Sequence, residues 1–114
     1  METNPVSLRP LKGRVSLDSV FKEGLVYRGK NILLLYNRNG EPSFLDAAVS
    51  VPKNSFSRAV DRNRIKRQIR SALRSLKDTI PFSGKCVFIY TGSSIPLNTD
   101  VIKDLKGLFK LVSF

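Results

Sequence analysis

The chain has 114 residues, 41% of them hydrophobic, with no histidine, one cysteine and a formal net charge of +11. That hydrophobic share supports one domain with a modest core and excludes a disordered basic tail. The charge calls for an acidic partner, nucleic acid first and an anionic membrane second. No apolar run approaches the roughly 18 residues that span a bilayer, and no signal-peptide apolar segment is visible, so a soluble, cytoplasmic protein is expected.

Residues 1–13 hold two prolines and little pattern, and read as an extended N-terminal arm. Ser16 has the chemistry of an N-cap, Leu17, Val20 and Phe21 make a short apolar stripe, and Gly24 is placed to stop the helix. A helix of about two turns is unstable alone and must dock. Leu25–Arg28 reads as a short strand. Asn31–Tyr36 is a better one, and its apolar run predicts cover on both faces. Asn37–Pro42 has the composition of a hairpin loop. Residues 44–51 alternate: Leu45, Ala47, Val49 and Val51 on one face, Phe44, Asp46, Ala48 and Ser50 on the other. Beyond Phe44 the second face is small, which leaves room for something to lie on it.

A long helix is predicted over 58–78, with Ser57 as N-cap and Pro81 beyond its end. Ile65, Ile69, Ala72, Leu73, Leu76 and Ile80 recur every three or four residues as one apolar stripe. The opposite side is cationic: Lys66, Arg67, Arg70, Arg74 and Lys77 share an arc, with Asn63 among them. From Lys53 to Lys77 there are nine Lys or Arg and one acid, Asp61, a net +8 of the chain's +11. A solvated helix face mixes signs and commonly sets Glu four residues before Lys. No Glu occurs in this window, and like charges at i and i+4, such as Lys66/Arg70 and Arg70/Arg74, repel. The pattern points to a polyanion that neutralises the face.

Cys86–Tyr90 is an apolar strand, and its cysteine reads as a buried core thiol. A last helix opens near Asn98 or Thr99, with Val101, Ile102, Leu105, Leu108, Phe109 and Val112 as its core stripe. The order α, two or three strands, α, strand, α defines an α+β domain: a central, mostly antiparallel, four-stranded sheet packed by three helices. Strand 44–51, helix 58–78 and strand 86–90 form a βαβ crossover.

The residue inventory argues against catalysis by this chain. Without histidine there is no Ser-His or Cys-His pair and no imidazole for acid–base work or zinc. The nine acids are scattered, and only Asp100 and Asp104 stand at i, i+4. A two-metal nuclease needs a carboxylate cluster, so a protein-only nuclease is disfavoured and no catalytic or metal-binding residue is assigned.

The string Arg62-Asn-Arg-Ile-Lys-Arg67, followed by Arg70 near the start of a long helix, resembles the signature of the bacterial ribonuclease P protein component. Val49-Ser-Val-Pro-Lys53 before it, Ala59 and Val60 just ahead of it, and Phe21 and Gly24 in a first helix agree with that resemblance, which covers roughly residues 11–112. It implies a fold like the second domain of a ribosomal small-subunit protein, with a left-handed βαβ crossover against the usual rule. It implies binding to a large catalytic RNA and help in removing the 5′ leader of precursor tRNA, with the chemistry and the Mg²⁺ ions belonging to the RNA. No obligate protein partner is implied.

By match, the RNA-contacting role falls on Arg62, Asn63, Arg64, Lys66, Arg67 and Arg70; Arg58, Arg74 and Lys53 extend that surface. Arg62 lies near the apolar stripe, and either projects past the end of the sheet toward a cleft or snorkels its stem over the core. The family's second surface, a cleft between the first helix and the sheet, grips the single-stranded leader by stacking in a positive groove. Phe21 matches one of its aromatics, and Leu17 stands where the family often has another. On strand 31–36 the usual tyrosine position aligns with Leu35, and Tyr36 is its neighbour; Leu17, Phe21, Tyr36, Ala48 and Ser50 are the cleft candidates. Asn54 stands where a second basic residue is common. The alternative reading is a ribosomal-type RNA-binding protein with a structural role and no part in cleavage.

Overall fold

The computed structural model describes residues 6–41 and 43–112, and of residues 14–16 the backbone alone. In chain order the elements are β1 (Ser7–Pro10), α1 (Arg14–Glu23), β2 (Leu25–Arg28), β3 (Ile32–Asn37), β4 (Phe44–Ser50), α2 (Ala59–Ser75), a 3-10 turn (Lys77–Thr79), β5 (Gly84–Tyr90) and α3 (Asn98–Val112). The strands form one sheet in the order β1-β4-β5-β3-β2.

β5 is the centre of that sheet. It runs parallel to β4 and antiparallel to β3, while β1 joins β4 in parallel and β2 joins β3 antiparallel. A strand paired on both edges and covered on both faces has to be apolar nearly throughout, which Cys86–Tyr90 is. The α+β domain and the βαβ crossover are present. The sheet has five strands where four were expected, and its pairings divide evenly between parallel and antiparallel.

Two local readings are corrected. Asn37–Pro42 is not a hairpin, because β5 lies between β3 and β4. The loop crosses the start of β5 at a close approach of two glycines: a Cβ on Gly40 would lie 3.1 Å from the Gly84 Cα, and one on Gly84 would lie 2.6 Å from the Asn37 carbonyl oxygen. Gly84 also has a φ of 128°, which L side chains rarely adopt. Turn composition gives the bend but not the strand that slides beneath it.

The expected N-terminal arm is in part a strand. Residues 1–5 lie outside the described residues; Ser7–Pro10 forms β1, with Ser7 N–H donating to the Ser43 carbonyl and Leu11 N–H to that of Ala47. Alternation along the strand turns the Pro10 nitrogen to the open edge, where no N–H is needed. Arg9 pins β1: its guanidinium donates to both carboxylate oxygens of Asp46, at 2.7 and 3.2 Å, and lies 3.9 Å above the Phe44 ring.

The helix ends also differ in detail. α1 begins after Gly13, not at Ser16, which sits within its first turn. Gly24 does end α1, but in an extended conformation. Its missing side chain matters there, since a Cβ would lie 2.3 Å from the Val20 carbonyl oxygen. α2 is capped by Arg58, not Ser57, with no side-chain cap bond. Asn98 is the first residue of α3, and its side-chain oxygen accepts from Gln68 Nε2 at 2.9 Å; the same amide donates to the Pro96 carbonyl. The expected cap is thus a clasp between α2 and α3.

The two faces of the sheet are unequal. Under α2 and α3 lies the main core, with Ile32, Leu34, Leu45, Cys86, Phe88 and Tyr90 from the sheet meeting Ile65, Ile69, Ala72, Leu73, Leu105 and Leu108 from the helices. Burial pushes the Cys86 thiol far above its ordinary pKa, so it is an inert core group. On the other face α1 covers a small cluster of Val20, Leu35 and Val87, with Leu11, Leu17, Leu33, Ala48 and Ile89 at its margin. No helix among the described residues is long and apolar enough to cross a membrane.

Asp104 locks α3 to the β2–β3 turn. Its carboxylate accepts from the backbone N–H groups of Lys30 at 2.8 Å and Asn31 at 2.7 Å. Gly29 makes room for it, since a Cβ there would lie 2.1 Å from Asp104 Oδ1. Asp104→Ala should destabilise the fold by about 1–3 kcal/mol in urea unfolding, the range for losing a charged acceptor, most of it from the half-buried Asn31 donor, since the Lys30 bond is exposed. Gly29→Ala should also destabilise, and its cost should shrink in the Asp104→Ala background because the carboxylate clash is gone and only the Ile32 carbonyl oxygen, at 3.0 Å, remains close. Additive costs would show that the two sites are not coupled through this carboxylate.

Candidate nucleic-acid interface

α2 anchors its apolar stripe on the sheet: Ile65 and Ile69 are fully buried, Ala72 and Leu73 nearly so. At 100° per residue this turns Asn63, Arg64, Arg67, Arg70 and Arg74 outward, and all five are exposed, as is Arg58 at the helix start. Lys66 is half-buried. Lys53 is exposed in the turn that leads from β4 toward α2.

The charge of this face is uncompensated among the described residues. Arg9 forms ion pairs with Asp46 at 2.7 Å and with Glu41 at 3.5 Å, away from this face. No described carboxylate reaches Arg58, Arg64, Lys66, Arg67, Arg70 or Arg74. Asp61 lies in the first turn of α2, where a negative charge favours the helix dipole. Arg9 stands apart: its pKa is raised by its hydrogen bond to Asp46, and it is a structural cation.

Arg62 follows neither of its expected courses. Its Nη1 donates to the carbonyls of Phe56 at 2.8 Å and Ser57 at 3.0 Å, hooking the first turn of α2 onto the linker before it. Phe56 is buried, its ring 6.0 Å from that of Tyr90. Arg62 therefore fixes where α2 starts. Both bonds use Nη1, so the rest of its guanidinium is uncommitted among the described residues.

On the α1 face, Leu17 and Ala48 meet at the edge of one cluster, while Phe21, 56% exposed, and Ser50 remain open to solvent. Phe21 is thus not a core residue. Tyr36 is corrected: it lies on the opposite face, buried beneath α2 and α3, its ring 4.8 Å from Phe82 and its hydroxyl donating to the Ser83 carbonyl. Burial raises its pKa. Strand alternation gives the α1 side to Leu33 and Leu35. Register then adds Val26, opposite Leu35, and Arg28, opposite Leu33, to that side. Val26 is exposed, and Arg28 brings a cation. Sequence reading missed both, because a four-residue strand does not declare its partner or its register.

No group of three or more His, Cys, Asp or Glu among the described residues converges where a metal ion could be held.

The molecule is therefore a small basic α+β protein, with one helix presenting a cationic face unpaired among the described residues and, on the far side of its sheet, a small apolar cluster beside the exposed Phe21 and Val26. A family model described as ribonuclease P matches residues 7–112. The ribonuclease P protein component of Nitrosococcus oceani is 31% identical over 98 residues, which cover 82% of each chain. That of Microcystis aeruginosa is 29% identical over 102 residues, covering 86% of this chain and 85% of its own. Among solved structures, the ribonuclease P protein of Thermotoga maritima superposes with a TM-score of 0.81 at 23% identity, over 93% of this chain and 99% of that one. That of Staphylococcus aureus has a TM-score of 0.74 at 20% identity, over 90% and 93% of the two chains. The chain belongs to the ribonuclease P protein component family.

The two aromatics should behave oppositely. Phe21→Ala should change unfolding free energy by no more than about 0.5 kcal/mol, as for a surface side chain. Tyr36→Phe should cost about 1 kcal/mol through removal of the Ser83 bond. A large loss for Phe21→Ala in thermal or urea unfolding would put that ring in the core.

Proposed function

We propose that the chain is the protein subunit that binds the catalytic RNA of ribonuclease P and the 5′ leader of precursor tRNA, assisting endonucleolytic 5′ maturation of tRNA in the cytoplasm. The observation that carries this reading is the α2 face, six cations without an acidic partner among the described residues, on a chain of this family. Arg58, Arg64, Lys66, Arg67, Arg70 and Arg74, with Asn63 and Lys53, would lie against RNA phosphates, where counterion release supplies most of the affinity. Arg62 would keep the helix start in place and offer its remaining donors. The leader would cross the α1 side, with Phe21 as stacking surface, Leu17 and Ala48 beneath it, and Ser50, Val26 and Arg28 along the strand edges.

In this reading the bond cleavage and the Mg²⁺ ions belong to the RNA. What this chain contributes is position and charge. It neutralises phosphates that would otherwise repel one another, and it holds the leader so that precursor is bound in preference to mature tRNA.

Reconstitution with a bacterial ribonuclease P RNA tests the proposal. The chain should lower the Mg²⁺ concentration needed for cleavage and tighten precursor over mature tRNA. RNA binding with no effect on either would return the structural, ribosomal-type reading, and cleavage by the purified chain alone would point to a protein nuclease.

The sites are tested separately. Arg67→Ala or Arg70→Ala should weaken RNA binding and reduce the slope of log K against log salt by about 0.7–0.9 for each phosphate no longer neutralised. An unchanged slope would leave that residue facing bulk water. Phe21→Ala should weaken leader-bearing substrate by roughly five- to a hundredfold, one stacked base, with holoenzyme assembly intact. Equal losses in both would remove Phe21 from the leader site.

A further inference from the structure

A groove of about 270 Å³ runs between α2 and the β1–β4 edge of the sheet, on the face opposite α1. α2 packs over β4 and stops short of β1, so the sheet's apolar edge is left half-covered. Its floor is Leu8, Ala47 and Val49, all partly buried against the main core, with Leu73 from α2 as one wall. Arg70 and Arg74, one helical turn apart, stand at its rim. Both are exposed, and neither has an acidic partner among the described residues.

We infer that this groove takes one unpaired, extrahelical nucleotide of the partner RNA, its base on the Leu8–Ala47–Val49–Leu73 floor and its flanking phosphates on Arg70 and Arg74. This rests on the reading of the chain as an RNA-binding subunit and adds a subsite to it. A floor without polar side chains takes an aromatic ring, and two unpaired guanidiniums at its mouth take anions. A nucleotide supplies both within a single residue, and Arg planes also stack on bases. An apolar side chain from a protein partner would fill the floor and leave both cations uncompensated. The volume lies just under the roughly 300–1,000 Å³ of sites for drug-sized ligands, which suits a single ring system. Arg9 and Pro10 complete the lining; the Arg9 guanidinium is committed to Asp46, and no side chain of the floor itself can hydrogen-bond a base edge, so the subsite reads an unpaired nucleotide and not its identity.

Two variants test this. Ala47→Leu fills the floor and leaves every cation in place. It should weaken binding to the ribonuclease P RNA about tenfold, the scale of unstacking one base, with an unchanged salt slope and unchanged hydroxyl-radical protection along the rest of the α2 footprint. Leu8→Cys, carrying a photo-crosslinker, tests the site without filling it. Cys86 is buried and will not be labelled. The crosslink should map to one unpaired nucleotide. Making that nucleotide abasic should cost about as much as Ala47→Leu, the two losses should not add, and changing its base should cost little. Wild-type affinity of a folded Ala47→Leu protein overturns the inference, as do crosslinks confined to helical RNA or absent from a bound complex. Loss of binding by the wild-type chain itself would instead overturn the functional reading on which the inference rests.

Discussion

The structure depends on the burial of one side of α2. Ile65, Ile69, Ala72 and Leu73 are sealed against the sheet and α3, and a fully buried Leu or Ile contributes about 1.5–3 kcal/mol. Each like-charge pair at i and i+4 on the other side costs about 0.2–0.5 kcal/mol. The anchoring is larger by several-fold, so the protein can hold Lys66, Arg70 and Arg74 in a row without an internal counterion. A peptide of this sequence, without the sheet, would have the repulsion and not the burial.

That arrangement also explains the sheet's order. The β4–α2–β5 crossover lays α2 across the strands it connects, and placing β5 at the centre gives it a neighbour on each edge. β3 and β2 then complete one side and β1 the other. The main core takes one face, under α2 and α3, and α1 has only a small cluster to hold on the other. The unequal cover produces two distinct surfaces: a convex cationic helix on one side and, on the other, a shallow strip bordered by Phe21 and Val26. Asp46 is committed to Arg9 and Asp104 to the β2–β3 turn, and no described carboxylate lies within ion-pair distance of the exposed α2 cations.

Much of this was legible in the residues. The stripe from Ile65 to Ile80 and the run from Cys86 to Tyr90 each carry a periodicity that only one element satisfies, and the outward cations follow from the stripe by geometry. What was not legible depended on partners distant in sequence. β1 was hidden because its four residues include a proline and gain their order from β4 and from Arg9 on Asp46. The Asn37–Pro42 loop has hairpin chemistry, yet the strand beneath it comes more than forty residues later. Tyr36 and Leu35 are told apart only by which face α1 occupies, and Arg62 by carbonyls of its own linker. The groove beside Arg70 and Arg74 needed β1, and so could not be seen before it.

Everything here depends on the cations of α2 lacking counter-charges among the described residues. The most direct test is the urea-unfolding free energy of the isolated protein as a function of NaCl, from about 0.01 M to about 1 M, over which the Debye length falls from about 30 to about 3 Å. Unrelieved repulsion predicts that stability rises with salt as the charges are screened. Stability that falls with salt would mean that the protein's own ion pairs dominate, and would contradict the claim.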